Sequence, residues 1–131
     1  MKKYLKGFAS LILATSILST SFLNVSAKSV YISGNGSYSN YVTCTLRNKR
    51  QNAEIWVQCY NTVASANDIK MTTTSGRHIW SQRRAISFSG CRRFDLGCDH
   101  SAYRIYLKTY VNNRTRYGGT ANIWGNNVTI K

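Results

Sequence analysis

Residues 38–60, YSNYVTCTLRNKRQNAEIWVQCY, carry two runs of strict alternation separated by a polar stretch. Val42, Cys44 and Leu46 alternate with Tyr41, Thr43, Thr45 and Arg47; Ile55, Val57 and Cys59 alternate with Trp56, Gln58 and Tyr60. A period of two is that of a half-buried strand, whose successive side chains point to opposite faces. With a turn centred near Gln51 and Asn52, the two runs form a hairpin. Cys44 then faces Cys59 and Leu46 faces Val57 on the apolar side, leaving Trp56, Gln58, Tyr60 and Arg47 outside. The expectation is a hairpin with a core face, a disulfide staple and an aromatic, basic outer face.

Working outward, the chain after residue 27 shows no useful helical period and contains no proline. Short alternating runs are separated by Gly, Asn and Ser clusters, an all-β signature. A first strand is expected at 30–32 and another at 69–73, after a polar connection over 61–67. Residues 78–80 and 85–89 read as two short strands, or as one strand bulged around Gln82, Arg83 and Arg84. The clearest strand is 102–111, with Tyr103, Ile105, Leu107, Thr109 and Val111 on one face and Arg104, Tyr106, Lys108 and Tyr110 on the other. Residues 120–124 and 128–130 finish the chain, interrupted by Gly125, Asn126 and Asn127. About seven to eight short strands in this length predict an all-β fold, an antiparallel β-sandwich stapled by disulfides, with a small β-barrel as the alternative.

The N-terminus reads as a leader. Lys2, Lys3 and Lys6 precede an apolar run over 8–23, and Val25-Ser26-Ala27 is a small-residue cleavage site. The run is shorter and more polar than the ~20 residues of a spanning helix. The expected organisation is a signal peptide at 1–27 and one secreted, extracellular domain at 28–131. The chain has 18 Lys and Arg against 4 Asp and Glu; without three leader lysines this is 15 − 4, or +11. Such a charge predicts attraction to polyanions. After export these are an anionic cell-wall or membrane-surface polymer, such as teichoic acid or a lipid-linked wall precursor, before nucleic acid.

Four cysteines in an exported chain suggest two disulfides. The hairpin favours Cys44–Cys59, leaving Cys91–Cys98 around the loop CRRFDLGC. The other two connectivities would tie the hairpin to that later loop. A Cys44–Cys59 bridge is worth ~3 kcal/mol in the chain-entropy model.

Catalytic groups are scarce. The carboxylates are Glu54, Asp68, Asp95 and Asp99, with no spacing that suggests a paired acid and base. His78 and His100 could serve a secreted ribonuclease as acid and base, with Lys108 or an arginine stabilising the phosphorane; their plainer role is that of surface imidazoles. Cys91, Cys98 and His100 lack the tight pairs of a zinc site, and no metal or cofactor is expected. Asn35, Asn113 and Asn127 begin glycosylation acceptor triplets, which matter only in a eukaryotic secretory pathway.

What remains is the surface. Lys49 and Arg50 lie in the expected hairpin turn, Arg83 and Arg84 in a strand break, and Arg92 and Arg93 in the expected disulfide loop. Arg104 and Lys108 share a strand face with Tyr106, and Trp56 adds an indole on the hairpin's outer side. Arginine and tyrosine together can stack on rings and hydrogen-bond phosphate. Four or five such cations at ~1 kcal/mol each give affinity nearer millimolar than micromolar, so specificity must come from the groups beside them. The expected binding residues are Lys49, Arg50, Trp56, Arg83, Arg84, Arg92, Arg93, Arg104, Tyr106 and Lys108.

Three smaller patterns are also present. Each tryptophan follows an isoleucine (Ile55-Trp56, Ile79-Trp80, Ile123-Trp124) at unequal spacing, which is no regular repeat. Asp99, Tyr103 and Ile105 sit at the offsets of the tyrosine corner of immunoglobulin-like domains. Tyr38-Ser39-Asn40-Tyr41, followed by a strand and Ala53-Glu54-Ile55-Trp56-Val57-Gln58, resembles the lactococcin-type β-sandwich bacteriocins. In that comparison Tyr103 and Tyr106 stand in for the family's aromatic pair, while Val42-Thr43-Cys44 stands where the family has histidines. The resemblance implies a wall-targeting, antimicrobial protein acting at a lipid-linked precursor. The expected function is therefore non-catalytic binding of an anionic cell-surface target. The alternatives are the ribonuclease, a protease inhibitor offering Arg92 or Arg93 from the 91–98 loop, and an inert structural protein.

Overall fold

Among the described residues every long run of alternation becomes a strand, and the apolar half of each turns to one shared interior; residues 110 and 111 of the run expected over 102–111 lie outside the described residues. The computed structural model describes residues 26–34, 36–60, 66–87, 89–109 and 118–131. Among them are nine strands: β1 (Ala27–Ile32), β2 (Tyr41–Leu46), β3 (Ala53–Tyr60), β4 (Ala66–Thr73), β5 (His78–Ser87), β6 (Cys91–Gly97), β7 (Ala102–Thr109), β8 (Gly119–Asn126) and β9 (Val128–Ile130). They form a four-stranded sheet, β1-β8-β3-β6, and a five-stranded sheet, β5-β4-β7-β2-β9, with antiparallel pairing between strands. The two inner faces meet in a single core that includes Ile32, Val42, Ile55, Val57, Ile69, Tyr103, Ile105 and Ile123. The fold is a β-sandwich; the sheets do not close into a barrel. Of the leader expected over 1–27, only Ser26 and Ala27 are among the described residues; Ser26 Oγ accepts a hydrogen bond from the Ile130 amide at 2.8 Å.

The expected hairpin does not form. β2 lies between β7 and β9, while β3 lies between β8 and β6 in the other sheet. Val42, Cys44 and Leu46 do share a core with Ile55, Val57 and Cys59, but they enter it from opposite sides. Residues 47–52 are therefore an arch that crosses from sheet to sheet. Asn127, at the corresponding crossing from β8 to β9, holds the arch. Its Nδ2 donates to the carbonyls of Asn48 and Gln51 at 2.8 Å, and its Oδ1 accepts from the Asn48 amide at 2.8 Å. Alternation specifies which face of a strand is buried; an arch and a hairpin satisfy it equally.

The disulfide expectation is corrected as well. All four cysteines are free thiols. Cys44 and Cys59 are buried on strands of opposite sheets. Cys91 and Cys98 mark the two ends of β6, and seven residues of extended chain separate their Cα atoms by roughly 20 Å, three times a disulfide's reach. CRRFDLGC is thus a strand paired to β3, and the disulfide-closed loop on which the inhibitor alternative rested is absent.

Two local devices set the positions of Asp68 and Tyr103. Residues 78–87 form one bulged strand, because the register against β4 slips across Asp68, between Asn67 and Ile69, and again between Met71 and Thr72. Arg84 takes a left-handed conformation (φ 54°), and its amide donates to Asp68 Oδ1 at 2.8 Å, so a buried carboxylate replaces the missing ladder acceptor. At the start of β7, the Tyr103 hydroxyl, inside the core, accepts a hydrogen bond from the His100 amide at 3.1 Å. That is the tyrosine-corner geometry its sequence offsets predicted.

Candidate functional site

The outward positions of the five-stranded sheet gather aromatic rings and cations at one end. On β7 these positions are Arg104, Tyr106 and Lys108; on β4 they are Asp68, Lys70 and Thr72; on β2 they are Tyr41 and Thr43. The register sets Tyr41 and Lys70 on either side of Tyr106, and Asp68 beside Lys108. Tyr38 reaches the same place by another route. After β1 the chain crosses to the second sheet, where Ser33 bridges Lys108 and its carbonyl accepts from Thr109 Oγ1 at 3.1 Å. The segment then returns over the outer face, with the Tyr38 ring edge-on to Tyr106 at 6.4 Å between centroids.

The cations sit against these rings. Lys70 Nζ is 4.5 Å from the centroids of both Tyr38 and Tyr106, Lys108 Nζ is 4.7 Å from Tyr38, and the Arg104 guanidinium carbon is 4.8 Å from Tyr41. Each is within the range in which a ring quadrupole attracts a cation. Asp68 lies below, 3.9 Å from Lys108 Nζ. The Tyr38 phenol is pushed up to about 12, first by burial and then by the charge of Asp68, with Arg83 acting against both. It therefore stays a protonated donor at any physiological pH. Lys70, Lys108, Arg104 and Arg83 stand against one carboxylate, so the cluster is cationic. It can contact phosphate or carboxylate oxygens while the tyrosines offer ring faces.

Of the ten residues expected from sequence, the fold brings Arg83, Arg104, Tyr106 and Lys108 together. Arg84 contributes its backbone, through Asp68. Lys49 and Arg50 lie on the 47–52 arch beyond the opposite end of β2, roughly 20 Å from Tyr41 by strand rise. Trp56 and Arg93 are on the outer face of the other sheet, where Arg93 pairs with Glu54 at 3.2 Å. Arg92 lies at the sandwich edge and donates to the Ala85 carbonyl at 2.9 Å. There it lines, with Trp80, Phe94 and Asp95, an open cleft of about 250 Å³. Sequence reasoning missed Tyr38, Tyr41 and Lys70. Alternation did place Tyr41 opposite the apolar half of its run, and Lys70 within an expected strand; what it lacked was the knowledge that β4 and β2 flank β7.

The histidines are not brought together as a pair. His78 opens β5 and its Nε2 is 3.3 Å from Ser81 Oγ; His100 precedes β7 with its ring edge-on to Tyr103 at 5.7 Å. β4 lies between β5 and β7, which sets those strands roughly 10 Å apart. Among the described residues no three His, Cys, Asp or Glu side chains are grouped to hold a metal. No protein-family model matches the chain, and no curated protein matches it.

Proposed function

We propose that this is an exported cationic protein that binds an anionic polymer of the bacterial surface through the outer face of its five-stranded sheet. Teichoic acid and a lipid-linked wall precursor are the target chemistries, and the role is antimicrobial, in the manner of a bacteriocin, without catalysis. The carrying observation is the Tyr38, Tyr41 and Tyr106 cluster with Lys70, Arg104 and Lys108 set against its rings. The Lys-rich leader supports export, the net charge supports a polyanionic target, and the YSNY and AEIW segments support the wall-directed role.

The test is retention on teichoic-acid-containing walls across a salt series, with RNA as a competing polyanion. Retention should fall steeply with salt, because exposed charge pairs are screened beyond about 8 Å at physiological ionic strength. A Lys70→Ala/Arg104→Ala/Lys108→Ala variant should bind roughly a hundredfold more weakly, at ~1 kcal/mol per cation. Lys49→Ala/Arg50→Ala, distant from the cluster, should lose much less. Salt-independent retention, parental binding by the triple variant, or preference for RNA over walls would each overturn the proposal.

A further inference from the structure

The outer face of the four-stranded sheet is built from different materials. Its register arranges outward side chains in rows across the strands. Across β1, β8 and β3, one row is Tyr31, Thr120 and Tyr60; the next is Ser29, Asn122 and Gln58; the third is Ala27, Trp124 and Trp56, which Arg93 on β6 continues beside Trp56. Two aromatic rows therefore flank a row of one hydroxyl and two amides. The aromatic rows are four residues apart along each strand, about 13 Å. Tyr31 is 58% exposed and Tyr60 36%, and both present ring surface to solvent. The Tyr31 ring lies over Gly118, where a Cβ would come within 2.5 Å of its hydroxyl, so the backbone fixes the ring along the surface. In the middle row, Ser29 Oγ donates to Asn122 Oδ1 at 2.6 Å, which orients the Asn122 amide.

Charge distinguishes this face from the opposite one. Its charged side chains, Glu54, Arg93 and Asp95, lie toward the β6 edge, and Arg93 is already paired with Glu54. The one cation in these rows is Arg93, at the β6 end of the row that holds Trp124 and Trp56. An anionic polymer meets one cation in these rows, and a carboxylate already holds it. An uncharged ligand with flat apolar faces and a rim of hydroxyls fits: rings stack on the aromatic rows, and hydroxyls exchange hydrogen bonds with the amides.

We infer that the outer face of the four-stranded sheet is a second binding site, for a neutral glycan chain lying across Tyr31, Tyr60, Trp56 and Trp124 with its hydroxyls on Asn122 and Gln58. The site is independent of the anion-binding proposal. It gives the protein one face for wall charge and one for wall sugar.

The experiment is pull-down of the whole protein on chitin and on cellulose, two neutral glycans, in about 1 M salt, where the Debye length of ~3 Å silences the cationic face. Retention is expected, together with a change in tryptophan emission on adding soluble chitin oligosaccharide. A Trp80→Phe control should keep that change, because Trp80 stacks on Phe94 away from this face. Tyr31→Ala and Tyr60→Ala should each weaken retention roughly tenfold. Gln58→Ala, which removes no ring, guards against a folding artefact and should also weaken it. Arg104→Ala/Lys108→Ala should leave it unchanged. Failure to bind either glycan, or binding that all three face variants leave intact, would overturn the inference while leaving the anion-binding proposal standing.

Discussion

Asn127 shows how much one side chain can decide. Its backbone is left-handed (φ 59°), a conformation that asparagine tolerates better than other residues with a Cβ. Its carbonyl accepts from the Arg47 amide at 3.0 Å, while its side chain is bonded to Asn48 and Gln51. It also begins a glycosylation triplet, yet the nitrogen that would take the sugar is the one bonded to the arch. Asn127→Ala loses these side-chain bonds and strains the backbone, for an expected loss of about 3 kcal/mol in urea unfolding. Asn127→Gly loses the same bonds without the strain and should cost about 1 kcal/mol less. Equal losses would mean that the left-handed backbone is not the reason for asparagine here.

At the scale of elements, the molecule depends on two arches that cross between sheets side by side, β2 to β3 and β8 to β9. Their closeness requires Gly125. A Cβ there would lie 2.5 Å from the Glu54 carbonyl and 2.5 Å from Val128 Cγ2, so β8 can approach both β3 and β9 only without a side chain. Gly125→Ala should destabilise by about 1–3 kcal/mol, the usual range for overpacking. A denaturation midpoint equal to the parent's would show that the arches can separate. β6 belongs to the same scale. Phe94 and Leu96 alternate with Arg93 and Asp95, so the strand signal was present; the flanking cysteines suggested a loop in its place.

Across the whole molecule, the core holds two buried thiols where staples were expected. Burial pushes both Cys44 and Cys59 up to about 12 from an ordinary 9.0; for Cys59 the neighbouring Cys91 adds to this and a hydrogen bond from Asn67 opposes it. Below pH 9 both thiols are neutral folded or unfolded, and their contribution is fully present. Between pH 9 and 12 the unfolded chain ionises them and the folded chain does not, so stability falls as pH rises, by up to ~4 kcal/mol for each. A Cys44→Val/Cys59→Val variant should lose less than the parent over that window in pH-dependent denaturation. Parallel curves would refute the assignment. The two outer faces divide the surface chemistry: one sheet carries cations among tyrosines, the other carries aromatics among amides.

By itself, the sequence determined the class of the fold and which residues are inside. Alternation in 41–46, 53–60 and 102–109 is a property of each strand alone, and it told the buried half of each from the exposed half. Tyr103 was legible for the same reason, since its hydroxyl bonds only three residues away. Partners were decided by the tertiary structure. Whether β2 lies beside β3 or beside β7 depends on arches closed by Asn127, 75 or more residues distant in sequence. The candidate site inherits that dependence: Lys70, Tyr106 and Tyr41 meet only because β4, β7 and β2 are neighbours in one sheet, and period two records a face, never a neighbour.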